Sequence, residues 1–253
     1  MHLLITNDDG VYAPGILTLA RTAAQAGHSV VVSAPHTQQS ATGHRLTISE
    51  SLMVTEKDLD PRFEAFAVSG SPVDCVRIGR RLSDQPFDFC LSGINDGVNA
   101  GTDLYYSGTA AAAREAAMLY LPSMAISIGT GADEDMRQMV AEQALQIMDY
   151  IVTHPMPRLT FCNLNMPALA RGKVKPVRIA PMSQGFYLDE YVERVNPRGQ
   201  RYFWIEDGVV VEPPEEGTDV QLLKEGHMTV TFVGGFRDNN LMYYPKLETV
   251  LHG

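Results

Sequence analysis

Apolar and polar positions follow two rhythms along this chain. Residues 2–6 (HLLIT) are a short apolar run that breaks at Asn-Asp-Asp-Gly, which predicts a strand and then a turn. Pro14 opens a stretch of helical spacing through 26, and Gly27 stands where a helix stops. Residues 29–33 (SVVVS) are the β-branched run of a strand buried on both faces. After a polar segment at 35–45, residues 46–54 and 63–68 predict strands around a charged turn. Ser71-Pro72 reads as a helix opening, serine as cap and proline in the first turn, and predicts a helix over 72–81. Residues 87–92 (FDFCLS) predict another buried strand, 93–107 a long glycine-containing loop, and the alanine-rich stretch 109–119 a helix. Pro122 breaks that helix, and 124–128 return as a strand. Met136, Val140, Ala144, Ile147 and Ile151 recur at helical spacing and predict a helix over 134–153. A further strand is expected at 159–165.

Strand and helix in alternation over about 165 residues predict an α/β sandwich with a mostly parallel sheet. Polar loops then gather at the C-terminal ends of the strands, on the edge where such sheets bind ligands. The pattern changes after Asn165. Prolines appear at 167, 176, 181 and 197, and 187–195, 201–205 and 209–211 read as strands joined by turns at NPRG and EDG. Alternation at 227–233 (HMTVTFV) predicts a strand that rejoins a sheet. The expected organisation is an α/β core at 1–180, with a β-hairpin-rich extension and C-terminal tail at 181–253.

Composition narrows the function. The 253 residues carry 20 Lys and Arg against 30 Asp and Glu, a net charge of -10. Such a surface repels duplex nucleic acid and anionic lipid. An anionic substrate needs a local reversal of that field, for which a bound cation is the simplest means. Cys75, Cys90 and Cys162 are odd in number, sit in apolar runs and lack metal-type spacing, so they read as buried thiols in a reducing compartment. The opening MHLLITNDD has no basic segment before an apolar one, and no run approaches roughly 18 apolar residues. The expectation is a cytoplasmic protein with neither signal peptide nor membrane span.

Three clusters could carry chemistry, and each begins where a buried strand is expected to end. Asp8 and Asp9 are adjacent carboxylates in the turn before Gly10. Facing one site, they would repel, and a divalent cation resolves the repulsion. The alternative is an ordinary strand-to-helix turn in which Asp is common. The segment from Thr37 to Arg45 offers a hydroxyl at Ser40 and hydrogen-bonding or positive character at His44, or else is a solvated loop. A Ser40/His44 nucleophile pair has no supporting G-x-S-x-G elbow in the chain. The stretch SGINDGVNAGTDLYYSGTAAAA offers side-chain oxygens at Asn95, Asp96 and Asn99. Ser107, Gly108 and Thr109 sit at the mouth of the alanine-rich helix, where free N–H groups and the helix dipole suit a phosphate. A capped helix after a flexible loop is the competing reading.

Taken together the clusters supply hard oxygen ligands beside an anion cradle. That donor set suits Mg²⁺, Mn²⁺ or Ca²⁺ better than zinc, and points to phosphate chemistry. A P-loop, a G-x-G-x-x-G fingerprint and an H-E-x-x-H zinc motif are all lacking. Tyr202, Phe203 and Trp204 read as core of the extension rather than a base-stacking platform.

The blocks LLITNDDG, SAPHTQQSATGH, VSGSPVDCV and LSGINDGVNAGTDLYYSGTAAAAREA, in this order, resemble the SurE family of metal-dependent nucleotidases. NLNMP and ERVNPRGQRYFW extend the likeness to about Trp204. The resemblance implies a Rossmann-like three-layer fold with a β-hairpin extension, assembled as a homodimer or homotetramer through that extension and the C-terminal tail (181–253). It implies hydrolysis of nucleoside 5′- or 3′-monophosphates, and in some members of short polyphosphate, with one Mg²⁺ or Mn²⁺ per subunit. By position it assigns the metal to Asp8, Asp9, Ser40 and Asn95, and the phosphate to Asn99, Ser107, Gly108 and Thr109. Asp9 then orients or deprotonates the attacking water, and water or His44 protonates the leaving nucleoside. The stretch TFVGGFRDNNLMYYPKLETV departs from the family's usual tail, which bears on tail-mediated assembly but not on the four metal-ligand positions. Two rivals stay open: an aspartyl-phosphate-type phosphatase with Asp8 as nucleophile, and a nucleotide-sensing module without turnover.

Overall fold

The computed structural model describes residues 1–185, 187–210 and 215–234. Among the described residues nine strands form one sheet in the order β3-β4-β2-β1-β5-β6-β7-β11-β8. Its centre is β1 (His2–Thr6), which runs parallel to β2 (Ser29–Pro35) on one side and β5 (Phe89–Asp96) on the other. Beyond β2 lie β4 (Glu64–Val68) and the three-residue antiparallel β3 (Val54–Glu56). Beyond β5 lie β6 (Ser123–Ile128) and β7 (Phe161–Met166), both parallel. Helices α1 (Pro14–Gln25) and α4 (Glu134–Thr153) cover one face; α2 (Pro72–Gly79) and α3 (Gly108–Met118) cover the other. This is a Rossmann-like three-layer α/β sandwich. Strands β1, β2 and β5 are buried along almost their whole length because helices shield them on both sides.

Strand order reverses at β1, since the chain first builds outward through β2 and then returns to place β5 on the opposite flank. The loops leaving β1 and β5 therefore diverge and open a crevice, where ligands bind in open α/β sheets. Ser71 caps α2 in a reciprocal box with Asp74, as the Ser-Pro opening predicts.

Several elements differ from the sequence expectation. Residues 46–53 do not form a strand; only Val54–Glu56 pairs at the sheet edge. Side chains satisfy part of that backbone, with Thr47 N–H donating to Asp74 at 3.0 Å and Met53 N–H to Ser69 Oγ at 2.9 Å. β5 runs on through Asp96, so the first residues of the expected 93–107 loop belong to the sheet. β8 (Lys175–Ile179) and α5 (Asp219–Lys224) lacked a clear pattern. β11 (His227–Val233) enters between β7 and β8, antiparallel to the former.

The excursion between β8 and α5 is a two-stranded antiparallel ribbon, β9 (Tyr187–Val195) and β10 (Arg201–Val210). Residues 201–205 and 209–210 are one strand with an irregularity between Glu206 and Val209, and Val211 lies outside the described residues. Tyr202, Phe203 and Trp204 are exposed rather than an internal core, because a lone ribbon has no second layer to bury them.

Candidate functional site

At the C-terminal end of β1, Asn7 and Gly10 close a turn through two hydrogen bonds, Asn7 Nδ2 to Gly10 O at 2.9 Å and Gly10 N–H to Asn7 Oδ1 at 3.1 Å. This aims Asp8 and Asp9 into the crevice. Asp8 is almost fully buried and faces the start of α3. Its Oδ2 accepts from Thr109 N–H at 3.1 Å, and its Oδ1 accepts a short hydrogen bond from the Thr109 hydroxyl. Asp9 Oδ2 accepts from Asp96 N–H at 3.2 Å, which ties the turn to the end of β5. Gln38 Nε2 lies 3.0 Å from Ser40 Oγ and 3.4 Å from Asp9 Oδ1. Gln39 N–H donates to Asp8 O at 2.7 Å. The three strand-end loops thus converge on one carboxylate pair.

Electrostatics there are unbalanced. Burial raises the Asp8 carboxyl above its ordinary value, against the lowering effect of the Thr109 bonds. Burial also raises Asp9, with the charges of Asp8 and Asp96 adding to it. Among the described residues no Lys, Arg or His forms an ion pair with either. Nor does any group of three His, Cys, Asp or Glu there stand ready to hold a metal. What the crevice offers is two carboxylates with neutral oxygens at Ser40 and Asn95. Asn95 commits its amide nitrogen to Gly97 O at 2.6 Å, which leaves its oxygen as the free end. This donor set fits a hard divalent cation, whose charge would offset the two carboxylates. A cleft of about 320 Å³ beside it is lined by Asp9, Gln38, Asp96 and Arg137. A more apolar cavity of about 380 Å³, lined by Tyr120, Leu121 and Pro122 among others, lies at the opposite sheet edge, away from these groups.

The anion cradle is arranged differently from the simple expectation. Ser107 caps α3, its Oγ accepting from Ala110 N–H at 3.0 Å, so its hydroxyl proton stays free to point outward. Gly108 must be glycine, because a Cβ there would lie 2.8 Å from Asp8 Cβ and 3.1 Å from Pro72 Cγ. Thr109 spends both its N–H and its hydroxyl on Asp8. Asn99 is held by its backbone and points one amide hydrogen inward to Ser127 Oγ at 2.9 Å.

The His44 imidazole is engaged further along α3, by Glu115. Its Nε2 lies 2.8 Å from Glu115 Oε2, and Arg77 Nε lies 2.6 Å from Glu115 Oε1. Glu115 follows Gly108 by seven residues, about 10 Å along the helix. The pair braces the Ser40 loop against α2 and α3, helped by Gly43 N–H donating to Tyr106 O at 3.0 Å. Burial opposes the charge on Glu115, but the His44 and Arg77 contacts win and hold its carboxyl below the ordinary 4.5. A lowered carboxyl stabilises the fold above its unfolded value and loses that contribution as pH falls through the folded value. Glu115→Gln is expected to cost about 1–3 kcal/mol at pH 7. In urea unfolding the gap to wild type should close below about pH 4; a gap that widens there contradicts the assignment.

The roles of Thr109, Gln38 and Glu115 escaped the sequence reading, since each rests on a contact its own segment does not disclose. A family model described as "Survival protein SurE" matches residues 3–189. The chain belongs to the SurE family. A 5′-nucleotidase SurE of Thermosynechococcus vestitus is 41% identical over 238 residues, covering 91% of this chain and 89% of its own length. One from Kosmotoga olearia is 35% identical over 254 residues, covering 100% and 99%. The crystal structure of the SurE protein from Aquifex aeolicus superposes with a TM-score of 0.81 at 30% identity, over 98% of this chain and 100% of that one. In this SurE chain the three cysteines are free and buried, burial pushing the Cys90 and Cys162 thiols up to about 12. Among the described residues no helix is long and apolar enough to cross a membrane.

Proposed function

We propose that this SurE protein is a metal-dependent phosphomonoesterase that hydrolyses nucleoside 5′-monophosphates to nucleoside and phosphate. The observation that carries the reading is the Asp8–Asp9 pair, with no ion-pair partner among the described residues, Asp8 being buried against the N-terminus of α3 and Asp9 half-buried beside it. Asp8, Asp9, Ser40 and Asn95 would hold one Mg²⁺ or Mn²⁺. When bound, that ion supplies Lewis-acid polarisation of a phosphoryl oxygen and a lowered pKa for water.

The chain's own residues do the rest. Thr109 fixes the rotamer of Asp8 through two hydrogen bonds, and Gln38 spans Asp9 and Ser40. The Ser107 hydroxyl and the second amide hydrogen of Asn99 would face the phosphate oxygens, aided by the helix dipole. Asp9 accepts the proton of the attacking water at its Oδ1. Water protonates the departing nucleoside, since His44 is engaged by Glu115 about two helical turns away. Asp8 is a poor nucleophile for the aspartyl-phosphate alternative, because Thr109 engages both its oxygens in a buried setting.

The exposed Tyr191, Phe203 and Trp204 of the ribbon support an assembly surface for a homodimer or homotetramer. The buried thiols support a reducing, cytoplasmic setting.

Phosphate release from AMP, GMP, 3′-AMP and short polyphosphate should be measured with Mg²⁺ or Mn²⁺ and with EDTA. Turnover of 5′-monophosphates that EDTA removes and metal restores is the expected result. Tight nucleotide binding without release in any arm would instead mark a sensing module, and acid-stable phosphate on Asp8 would mark the aspartyl route.

A further inference from the structure

The NLN motif of β7 has a use that the proposed chemistry leaves unassigned. Residues 163 and 165 are two apart on a strand, so both side chains project from one face. Both are fully buried, and both reach the same peptide unit in the loop between β5 and α3. Asn165 Oδ1 accepts from Asn99 N–H at 2.8 Å, and Asn165 Nδ2 donates to Asn99 O at 3.0 Å. Asn163 Nδ2 donates to the same carbonyl at 2.9 Å. The Asn165 amide thus presents one donor and one acceptor to the Asn99 backbone, as a neighbouring strand would. Ser127, directly across from Asn165 in the β6–β7 register, takes the Asn99 amide at 2.9 Å. Three buried side chains therefore fix one loop residue in both its backbone and its amide.

We infer that Asn163 and Asn165 are positioning residues for the phosphate subsite, acting through Asn99. The inference rests on the reading of Asn99 as a phosphate contact. The clamp sets the height of Asn99 above β6 and β7. None of its side-chain hydrogen bonds goes to Asp8, Asp9, Ser40 or Asn95, and Ser127 meets Asn95 only as a backbone register partner across β5 and β6, so the clamp acts on affinity for phosphate before affinity for the cation.

Asn165→Asp keeps the shape but turns a second acceptor toward the Asn99 carbonyl. In the full chain, three quantities should be compared with wild type: kcat and KM for AMP, inhibition by inorganic phosphate, and Mn²⁺ affinity by calorimetry. The inhibition constant for phosphate and the KM should each rise at least about tenfold, the equivalent of one lost hydrogen bond with an unsatisfied partner. Mn²⁺ affinity should stay within about twofold. Ser127→Ala, which leaves no buried charge, serves if Asn165→Asp does not fold, and a rise of about threefold or more is expected for it. Unchanged phosphate inhibition in a folded, active variant overturns the inference. So does a parallel loss of Mn²⁺ affinity, which would mean that the asparagines merely hold the cleft together. If wild type itself neither turns over AMP nor binds phosphate, the nucleotidase reading fails first, and that result is distinct from the other two.

Discussion

Asp8→Asn should lower kcat/KM for AMP by at least about a thousandfold while the protein stays folded, because the charge that would hold the cation is gone. The fold has reason to tolerate the change. Burial raises the Asp8 carboxyl above its ordinary 3.8, so the metal-free protein already disfavours the charged form. A raised carboxyl stabilises below its unfolded value, and that contribution is lost as pH rises through the folded value. Asparagine removes this loss, and its amide can still accept from Thr109 N–H while donating to the Thr109 hydroxyl. The metal-free variant should therefore melt at or above the wild-type temperature at pH 7. The metal response is the sharper readout. At a free Mn²⁺ concentration of a hundred times Kd, wild type gains about 2.7 kcal/mol. For a chain of this size that is a rise of about 5–10 °C in Tm. The variant should show almost none of it at the same concentration. Activity near wild type, or an undiminished melting shift, would remove Asp8 from the metal site.

The second large effect is on stability, and its sign opposes helix propensity. Gly15 is the second residue of α1, where alanine would be favoured by about 1 kcal/mol on propensity alone. Yet a Cβ at Gly15 would fall on the carbonyl oxygen of Ile94, well inside contact distance, and 3.0 Å from its carbonyl carbon. Those are backbone atoms of β5, which cannot swing aside as a side chain can. Gly15→Ala should force α1 off the sheet and cost about 3 kcal/mol or more, a fall of about 6–12 °C in Tm. The shift also reaches the crevice, since Ile94 immediately precedes Asn95 and α1 follows directly from the Asp8–Asp9 turn. Urea unfolding measures the cost. A Gly15→Ala protein as stable as wild type would show that the close approach of α1 to β5 is not a constraint.

Legibility differed by region for physical reasons. Strands buried on both faces, such as 29–33, and amphipathic helices, such as α4, announce themselves, because burial on that scale demands an unbroken or periodic apolar pattern. Edge pieces do not. The 46–54 segment is apolar enough to suggest a strand, but it sits outside the covered part of the sheet, and Asp74 and Ser69 take some of its backbone donors. β8 is mostly exposed and contains Pro176, so alternation is weak, and α5 is only six residues long. The run of β5 to Asp96 was hidden by Gly93, which reads locally as the start of a loop.

The sequence by itself determined the layered α/β class and the oxygen-rich turns at three strand ends. Those features depend on local residue type and spacing, and burial and turn chemistry act locally. Only the tertiary structure decided the employment of each side chain. Thr109 turned out to brace Asp8 across 101 positions of chain, and His44 to answer to Glu115, 71 positions away, rather than to the mouth of α3. A hydrogen bond between groups so far apart exists only because the sheet order brings β1 beside β5 and lays α3 over β5 and β6, with its first turn against the end of β1. No local pattern encodes that adjacency, so the donor set was readable in advance and its wiring was not.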